Sequence, residues 1–413
     1  MLPAIIDALP PFMLHTLLDI ALFCLSLAGI AYSTIALWSA RRYLVSRAPQ
    51  EISGFTPPVS ILKPLKGADS STYPALRSHC LQDYPQYEIV FGVNDYGDPA
   101  VSVVRKLIAE FPQLSLRLVA CNEVFGTNRK VSNLIHLLHE ARHSYLLVND
   151  GDISAPQNYL REAMSHFGDE KTGMVTCLYR GHAAGTIASR LEALGISTDF
   201  VPGVLTAKFL EGTLRFGLGS TLAMSRAALD AIGGFESVVE YLADDYQLGE
   251  RIAEAGFKVM LSHAIVETSI PPYSLAQFWQ HQMRWARTMR TSRPGGYAGM
   301  IFTFILLWAI LLSLLEPARW WSWAILLASV AMRVAISLLI GRRVLQDNQL
   351  VPNLWLLPLR DLLAPLIWLC SFAGNEISWR GERFRVHKGK MFPVSQRDAA
   401  TRDASSGSEF QRR

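Results

Sequence analysis

Cysteine is scarce in this sequence, and so is charge. Five cysteines (Cys24, Cys80, Cys121, Cys177, Cys370) are scattered over 413 residues. No two form a CxxC pair, so neither a zinc site nor a disulfide framework is expected, and the thiols read as buried groups in a reducing compartment. Only 18% of residues are charged while 50% are hydrophobic, and mean hydropathy is +0.20. That balance is too apolar for an ordinary soluble protein and places the excess in membrane spans. The polar part carries no basic stripe interleaved with aromatics, which argues against a nucleic-acid partner. No cleavage pattern follows the first apolar run, so an uncleaved signal anchor is expected.

The apolar residues concentrate in 13–38 and 297–375, leaving 50–290 as an α/β region. Leu17 to Trp38 is long enough to cross a bilayer, which takes roughly 20 residues. Arg41, Arg42 and Arg47 follow it and keep the next region cytoplasmic by the positive-inside rule. Met300–Leu315 and Trp320–Ile340 read as two further apolar stretches joined by Glu316-Pro317-Ala318-Arg319. Arg333, inside the second, is expected to face protein or a polar cavity. Leu350–Phe372 contains Pro352, Pro358 and Pro365, expected to break it, and Arg360-Asp361 at its middle. A re-entrant or interfacial segment is preferred there over a full span. The expected organisation is an anchor over 1–45 and a cytoplasmic domain over 46–293 with an interfacial helix at 274–291. A membrane region over 294–380 and a basic tail over 381–413 with a disordered end complete it.

Val59–Leu62, Glu88–Val93, Leu114–Ala120 and Tyr145–Val148 read as strands, and Pro99–Phe111 and Lys130–Ala141 as helices between them. This order predicts an α/β fold with a mostly parallel sheet, whose ligands bind at the carboxyl ends of the strands. Acidic residues fall at those ends: Asp95 and Asp98 after the second strand, Asp150 and Asp152 after the fourth. In an extended turn, Asp150 and Asp152 project to one side and suit a divalent cation bridging a diphosphate. A plain Asp/Gly turn is the alternative.

Leu242-Ala243-Asp244-Asp245-Tyr246 opens a helix predicted to run to Ala255, with one acid as its N-cap. Adjacent carboxylates repel, and partial burial raises a pKa towards the range of a general base. Ser274–Thr291 is an amphipathic helix, suited also to lying on headgroups. His281, Arg284, Trp285 and Thr288 share one of its faces. Arg284 suits a pyrophosphate leaving group and Trp285 a wall for a sugar or acceptor. Lys63 and Lys66 follow the first strand, where phosphate contact and a solvated loop are both open. Asn128-Arg129-Lys130 precedes a helix whose N-terminus favours an anion. Gly233-Gly234 reads as a turn, and His136, His139 and His143 as structural.

These residues together resemble the family 2/21 glycosyltransferases, especially the ceramide glucosyltransferase branch. Leu62-Lys63-Pro64-Leu65-Lys66-Gly67, Asp95-Tyr96-Gly97-Asp98, Asp150-Gly151-Asp152, Ala243-Asp244-Asp245-Tyr246 and His281-Gln282-Met283-Arg284-Trp285 resemble its motifs in order. The match covers about 57–293, with Trp379-Arg380-Gly381 resembling the family's basic tail. The resemblance implies a Rossmann-like GT-A domain and an inverting transfer from a UDP-sugar to a lipid hydroxyl. In it Asp245 is the base, Asp150 and Asp152 hold Mg²⁺ or Mn²⁺, and Asp95 or Asp98 contacts uridine. Arg284 and Trp285 close over the UDP, with Lys63, Lys130, Asp244 and His281 counted among the donor-binding residues. Two departures stand out. His281 replaces a Gln or Arg, and Gly195-Ile196-Ser197-Thr198-Asp199 replaces the G-x-S-H-P of ceramide enzymes. Other stretches, such as Asn128–Leu134 and Val175–Gly181, are more similar to bacterial hopanoid-biosynthesis glycosyltransferases. That implies UDP-N-acetylglucosamine as donor and a hopanoid as acceptor, in a multi-pass protein of the bacterial inner membrane. Ceramide with UDP-glucose is the alternative.

Overall fold

The computed structural model describes residues 10–47, 54–379 and 381–394. In chain order the elements begin with α1 (Pro11–Ser46), β1 (Val59–Pro64), α2 (Thr72–Cys80), β2 (Tyr87–Val93), α3 (Ala100–Glu110) and β3 (Ser115–Ala120). Next come α4 (Arg129–Glu140), β4 (Tyr145–Val148), β5 (Ile153–Ser154), α5 (Tyr159–Ser165), β6 (Thr172–Ala183) and α6 (Ile187–Gly195). A π-helical turn, Ile196–Phe200, leads into α7 (Val201–Glu211), β7 (Leu222–Ser225), α8 (Arg226–Ala231), α9 (Asp244–Glu254), β8 (Lys258–Ile270) and α10 (Leu275–Ser292). The C-terminal part holds α11 (Pro294–Gly299), α12 (Ile305–Leu315), α13 (Trp320–Ile336), α14 (Leu350–Asn353), α15 (Leu357–Ser371) and strands β9 (Glu376–Trp379), β10 (Glu382–His387) and β11 (Lys390–Pro393).

The main sheet runs β3-β2-β1-β4-β7-β6-β8-β5. β1 to β4 are mutually parallel, as are β6 and β8, and antiparallel β7 joins the two blocks. The four expected strands agree with the structure to within two residues at each end, and α3 and α4 to within one. β1 and β4 are buried throughout or nearly so, which explains their unbroken apolar runs. The long strands β6 and β8 escaped the sequence reading.

Helix α1 is 36 residues long, roughly 54 Å at about 1.5 Å per residue and well beyond the ~30 Å of a hydrocarbon core. Its last turns enter the core of the α/β domain. Ala36 and Ala40 are fully buried, and Tyr43 donates its hydroxyl to the Ser262 carbonyl at 2.9 Å. The anchor is therefore packed into the domain rather than tethered to it.

Among the described residues three helices are long and apolar enough to cross a membrane, or up to four if a bent pair counts as one span. Met300–Leu315 is not one helix, because a 3-10 turn at Met300–Thr303 and a 46° bend precede α12. Helix α13 and the π-helical Ser337–Val344 form the second stretch as expected. Leu350–Ser371 runs on as one helical segment, with a 3-10 turn at Leu354–Leu356 after Pro352, while Pro358 and Pro365 do not break α15. Pro358 lies in the first turn of α15, where its missing N–H costs nothing. Both ends of this segment touch the α/β domain: Leu350 and Leu357 pack with Ala188 and Leu191 of α6, and Ile367 with Met283 and Ala286 of α10. Its other face leaves Leu359, Leu362, Leu366 and Leu369 exposed at helical spacing.

Arg333 faces protein as expected. Its Nε donates to Asp361 at 2.8 Å and its Nη2 to Asp199 at 2.9 Å. Arg360 Nη2 meets the other oxygen of Asp199 at 3.1 Å. Four charges from the π turn and two C-terminal helices thus neutralise one another where neither helix could carry them alone.

The region expected as a basic tail is ordered through residue 394 as the three-stranded sheet β9-β10-β11, whereas the polar end expected to be disordered lies outside the described residues. This small sheet docks on the segment before α9. Leu242 N donates to Gly389 O at 3.0 Å and Met391 N to Glu240 O at 2.8 Å. On its other side Arg287 and Arg290 of α10 donate to the carbonyls of Glu376 and Ser371. The cysteines form no disulfide; Cys80, Cys121 and Cys177 are buried, but Cys24 on α1 is exposed, contrary to the buried reading.

Candidate active site

The acidic turn after β4 sits over a buried lysine. Lys63 at the end of β1 is fully buried, and its Nζ donates to the Asp150 carbonyl at 3.2 Å. Burial pushes this ammonium down to about 7, against the opposing pull of the Asp150 and Asp152 carboxylates. The solvated-loop reading of Lys63 therefore fails; it supports the turn from beneath. Asn149 donates to the Ser220 carbonyl at 2.6 Å and to Tyr159 Oη at 2.9 Å, fixing the other side. Asp152 accepts the Thr268 hydroxyl at 2.7 Å, and burial together with the Asp150 charge holds its carboxyl above the usual range.

The start of α4 meets the same turn. Asn128 caps α4 by accepting from Lys130 N and Val131 N at 3.0 and 3.2 Å, and its Nδ2 donates to Tyr241 O at 2.9 Å and Asp244 Oδ1 at 3.3 Å. Lys130 Nζ lies 2.9 Å from Asp150 Oδ1 and 3.4 Å from Asp244 Oδ2. Burial alone would lower this ammonium's pKa, but Asp150, Asp244 and Asp245 outweigh it and hold the charge firmly.

Neither acid of the Asp244-Asp245 pair caps α9, in contrast to the expectation. Ala243 is the N-cap residue and supplies no side-chain bond. Asp244 is instead buried against Asn128 and Lys130. Asp245 accepts its neighbour's Tyr246 N–H at 2.8 Å. Burial, then Asp244, push its carboxyl up to about 6, with Lys130 pulling the other way. A Cβ on Gly219 would lie 3.0 Å from Asp245 Oδ2 and 3.9 Å from Asp150 Oδ2. Oxygens of both acids thus border the space that the missing side chain of Gly219 leaves open.

Asp95 and Asp98 lie at the neighbouring strand end. Asp98 accepts from Gly67 N at 2.9 and 3.0 Å and from Ala100 N at 2.8 Å, binding the β1 loop to the start of α3. Asp95 is exposed and accepts from Gly97 N at 2.7 Å. Further along the chain, α10 begins with a capping box formed by Ser274 and Gln277. His281 Nδ1 lies 2.9 Å from Glu192 Oε1. The His281 ring is 5.4 Å from Trp285, and Trp285 is 6.0 Å from Phe200. Tyr179 links the two sides. It is 5.3 Å from Phe200, and burial with the charges of Asp245, Glu192, Asp150 and Asp152 holds its hydroxyl protonated. Arg284 acts electrostatically on Tyr273, which burial and Glu192 raise to about 12 and Arg284 opposes.

Asp150, Asp152, Lys130, Asp244 and Asp245 are therefore brought together, and His281, Arg284 and Trp285 line up on one helix beyond Tyr179. Tyr179 and Glu192 were missed; only the resemblance of Val175–Gly181 hinted at the first. Among the described residues no group of three His, Cys, Asp or Glu side chains is assembled around a metal.

The mostly parallel sheet with its surrounding helices is shared with a solved glycosyltransferase. The structure is similar to the mannosyltransferase PcManGT from Pyrobaculum calidifontis in complex with GDP-Man and Mn²⁺, with a TM-score of 0.52 and 20% identity over 86% of this chain and 97% of that one. The fold is of the GT-A type. The family model described as Glycosyl transferase family 21 matches residues 21–392, so the chain belongs to that family and is a glycosyltransferase. Ceramide glucosyltransferase 3 of Caenorhabditis elegans is 28% identical over 396 residues, covering 89% of this chain and 80% of that protein. Ceramide glucosyltransferase 1 of the same organism is 28% identical over 240 residues, 58% of this chain and 51% of that one.

Proposed function

We propose that this protein is an inverting glycosyltransferase that moves N-acetylglucosamine from UDP-N-acetylglucosamine to a hydroxyl on a hopanoid side chain. The observation that carries the reaction type is Asp245, a carboxylate raised to about 6 whose Oδ2 and that of Asp150 both border the open space at Gly219. Such a group is ionised at neutral pH yet basic enough to take a proton. The acceptor oxygen attacks the anomeric carbon as Asp245 removes its proton, and the bond to the diphosphate breaks on the opposite face. Asp150 and Asp152 fit Mg²⁺ or Mn²⁺, being paired carboxylates on one turn with Asp150 Oδ2 bordering the open space at Gly219. Such an ion supplies Lewis-acid stabilisation of the leaving diphosphate. Lys130 holds Asp150 and Asp244 in place, and Arg284 adds positive charge on the leaving-group side. Asp95 and Asp98 serve the uridine end.

The acceptor reading rests on Gly195–Asp199, where Asp199 pairs with Arg333 and Arg360 instead of presenting the ceramide-type sequence. A cytoplasmic catalytic domain on a bacterial inner membrane fits Arg41 and Arg42 after the anchor. The docked β9-β11 sheet returns the chain to the catalytic side, which requires an even number of crossings after α10. The bent pair and α13 supply two, and α15 then lies in the interface with its exposed leucines in lipid. Ceramide with UDP-glucose is the second reading, favoured by the names of the curated relatives.

Membranes containing the protein, given radiolabelled UDP-N-acetylglucosamine or UDP-glucose with a polyhydroxylated hopanoid or ceramide, test the reading. Label is expected in the lipid phase with the first donor and the hopanoid. Label only with UDP-glucose and ceramide would overturn it in favour of the second reading.

A further inference from the structure

Glu192 takes no part in the reaction above, yet it is held within the site. It lies on α6 and is 6% exposed. Its Oε1 lies 2.9 Å from His281 Nδ1, and among the described residues neither its buried Oε2 nor that ring nitrogen has a hydrogen-bond partner. Leaving a buried carboxylate oxygen without a donor is costly, and native structures leave few such atoms. The unpartnered carboxylate oxygen and the unpartnered ring nitrogen beside it leave hydrogen-bonding capacity open at one spot, which a ligand hydroxyl, as donor and acceptor, can use.

Its surroundings narrow what that donor is. The His281 ring is flanked by Tyr273 at 5.6 Å and Trp285 at 5.4 Å. From His281 the rings run on through Trp285 and Phe200 to Tyr179, so this carboxylate stands at the end of the aromatic row that borders the acidic residues. A carboxylate oxygen without a partner calls for a hydrogen-bond donor, which the oxygens of a diphosphate do not offer and a hydroxyl does. Ring faces beside it suit the apolar side of a sugar or polyol. The chemistry is that of a hydroxyl on a carbohydrate or polyol, not of the diphosphate.

We propose that Glu192, oriented by His281, is a specificity residue that accepts a hydrogen bond from a hydroxyl of the transferred sugar or of the acceptor's polyol chain. This rests on the reading of the site as one for sugar transfer to a lipid. Glu192 would touch substrate; His281 is the positioning residue that sets the carboxylate's orientation.

The test uses the full chain in detergent or nanodiscs, with Glu192→Gln and His281→Gln. Equilibrium binding of UDP, UDP-N-acetylglucosamine and UDP-glucose is measured beside KM for donor and lipid. In Glu192→Gln, UDP binding is expected to stay within about twofold, while one hydroxyl-bearing ligand weakens by roughly 10–100-fold, the effect of losing one hydrogen bond to a charged group. Weaker UDP-sugar binding assigns the donor's hydroxyl, and a raised lipid KM assigns the acceptor's. His281→Gln is expected to move the same parameter less. If Glu192→Gln does not fold by thermal melting, His281→Gln decides. Unchanged donor affinity and lipid KM, or UDP weakened as much as UDP-sugar, overturns the assignment. Donor binding is read without any lipid, so a wild-type protein inactive on every lipid would sink the proposed function while a selective loss of UDP-sugar binding still upheld this assignment. If the wild type is inactive and donor binding is unchanged, both fall.

Discussion

Lys130 Nζ lies 2.9 Å from Asp150 Oδ1, joining the start of α4 to the acidic turn after β4. The same ammonium reaches Asp244, so one cation holds the two acidic motifs together. Lys130→Met would leave those carboxylates facing each other without compensation. With the Lys130 and Asp244 side chains 9% and 8% exposed, a loss of about 3–5 kcal/mol of stability is expected for an interrupted buried pair, measurable by thermal or denaturant unfolding. Lys130 also lowers the pKa of Asp245. Removing it should move the acid limb of the pH–rate profile upward; a limb left in place would rule out that coupling.

Asp245→Asn should cut kcat by about 10²–10⁴-fold, the usual contribution of a positioned general base. UDP affinity should be retained, as measured by equilibrium binding. Turnover equal to wild type would sink the base assignment.

The raised carboxyl of Asp245 also has a stability consequence. Its folded pKa of about 6 lies above its ordinary value of 3.8, so the folded state binds more protons between those pH values. Stability from this group is therefore present at low pH and lost as pH rises through about 6. Asp245→Asn removes the cost, and at pH 7–8 the variant should be more stable than wild type by on the order of 2 kcal/mol. Below about pH 4 the difference should vanish. Activity in the wild type should fall as pH drops below about 6.

Gly219→Ala would place a methyl group 3.0 Å from Asp245 Oδ2. The base must then move by a few tenths of an ångström, and kcat should fall roughly 10–100-fold with little change in melting temperature, because attack geometry tolerates little displacement. Steady-state kinetics beside a melting curve check both halves of that expectation.

Asp361→Asn interrupts the buried pair with Arg333, whose side chains are 7% and 9% exposed. A cost of about 3–5 kcal/mol is expected. Replacing both partners by apolar residues, Arg333→Met with Asp361→Leu, should recover most of it. A double variant as unstable as the single one would show that the ions do more than neutralise each other.

The acids were legible because strand ends are. Buried strands such as Val59–Pro64 and Tyr145–Val148 advertise themselves as apolar runs, and the residues that follow them must lie at one edge of a parallel sheet. For Lys63 the sequence left phosphate contact and a solvated loop both open, because a lysine after a strand resembles a loop residue until the chain covering it is known; its burial removes the second. The proline-containing segment 350–371 was expected to break, since local rules carry no knowledge of where in a helix a proline falls. The docking of β9-β11 beneath Asp244 could not be foreseen from a basic tail, for alternation over four to six residues does not say what the buried face meets.

The sequence by itself determined the α/β order, the apolar runs, the polar turns that hold Asp150 and Asp152, and the helix that carries His281, Arg284 and Trp285. All of these depend on periodicity within a dozen residues. Only the tertiary structure decided that Lys130 bridges Asp150 to Asp244, that Arg333 finds Asp199 and Asp361, and that Glu192 faces His281. Those partners are 20 to more than 130 residues apart in the chain. Charge attraction falls off over a few ångströms and takes no account of sequence separation, so such pairings exist only once packing has fixed which surfaces meet.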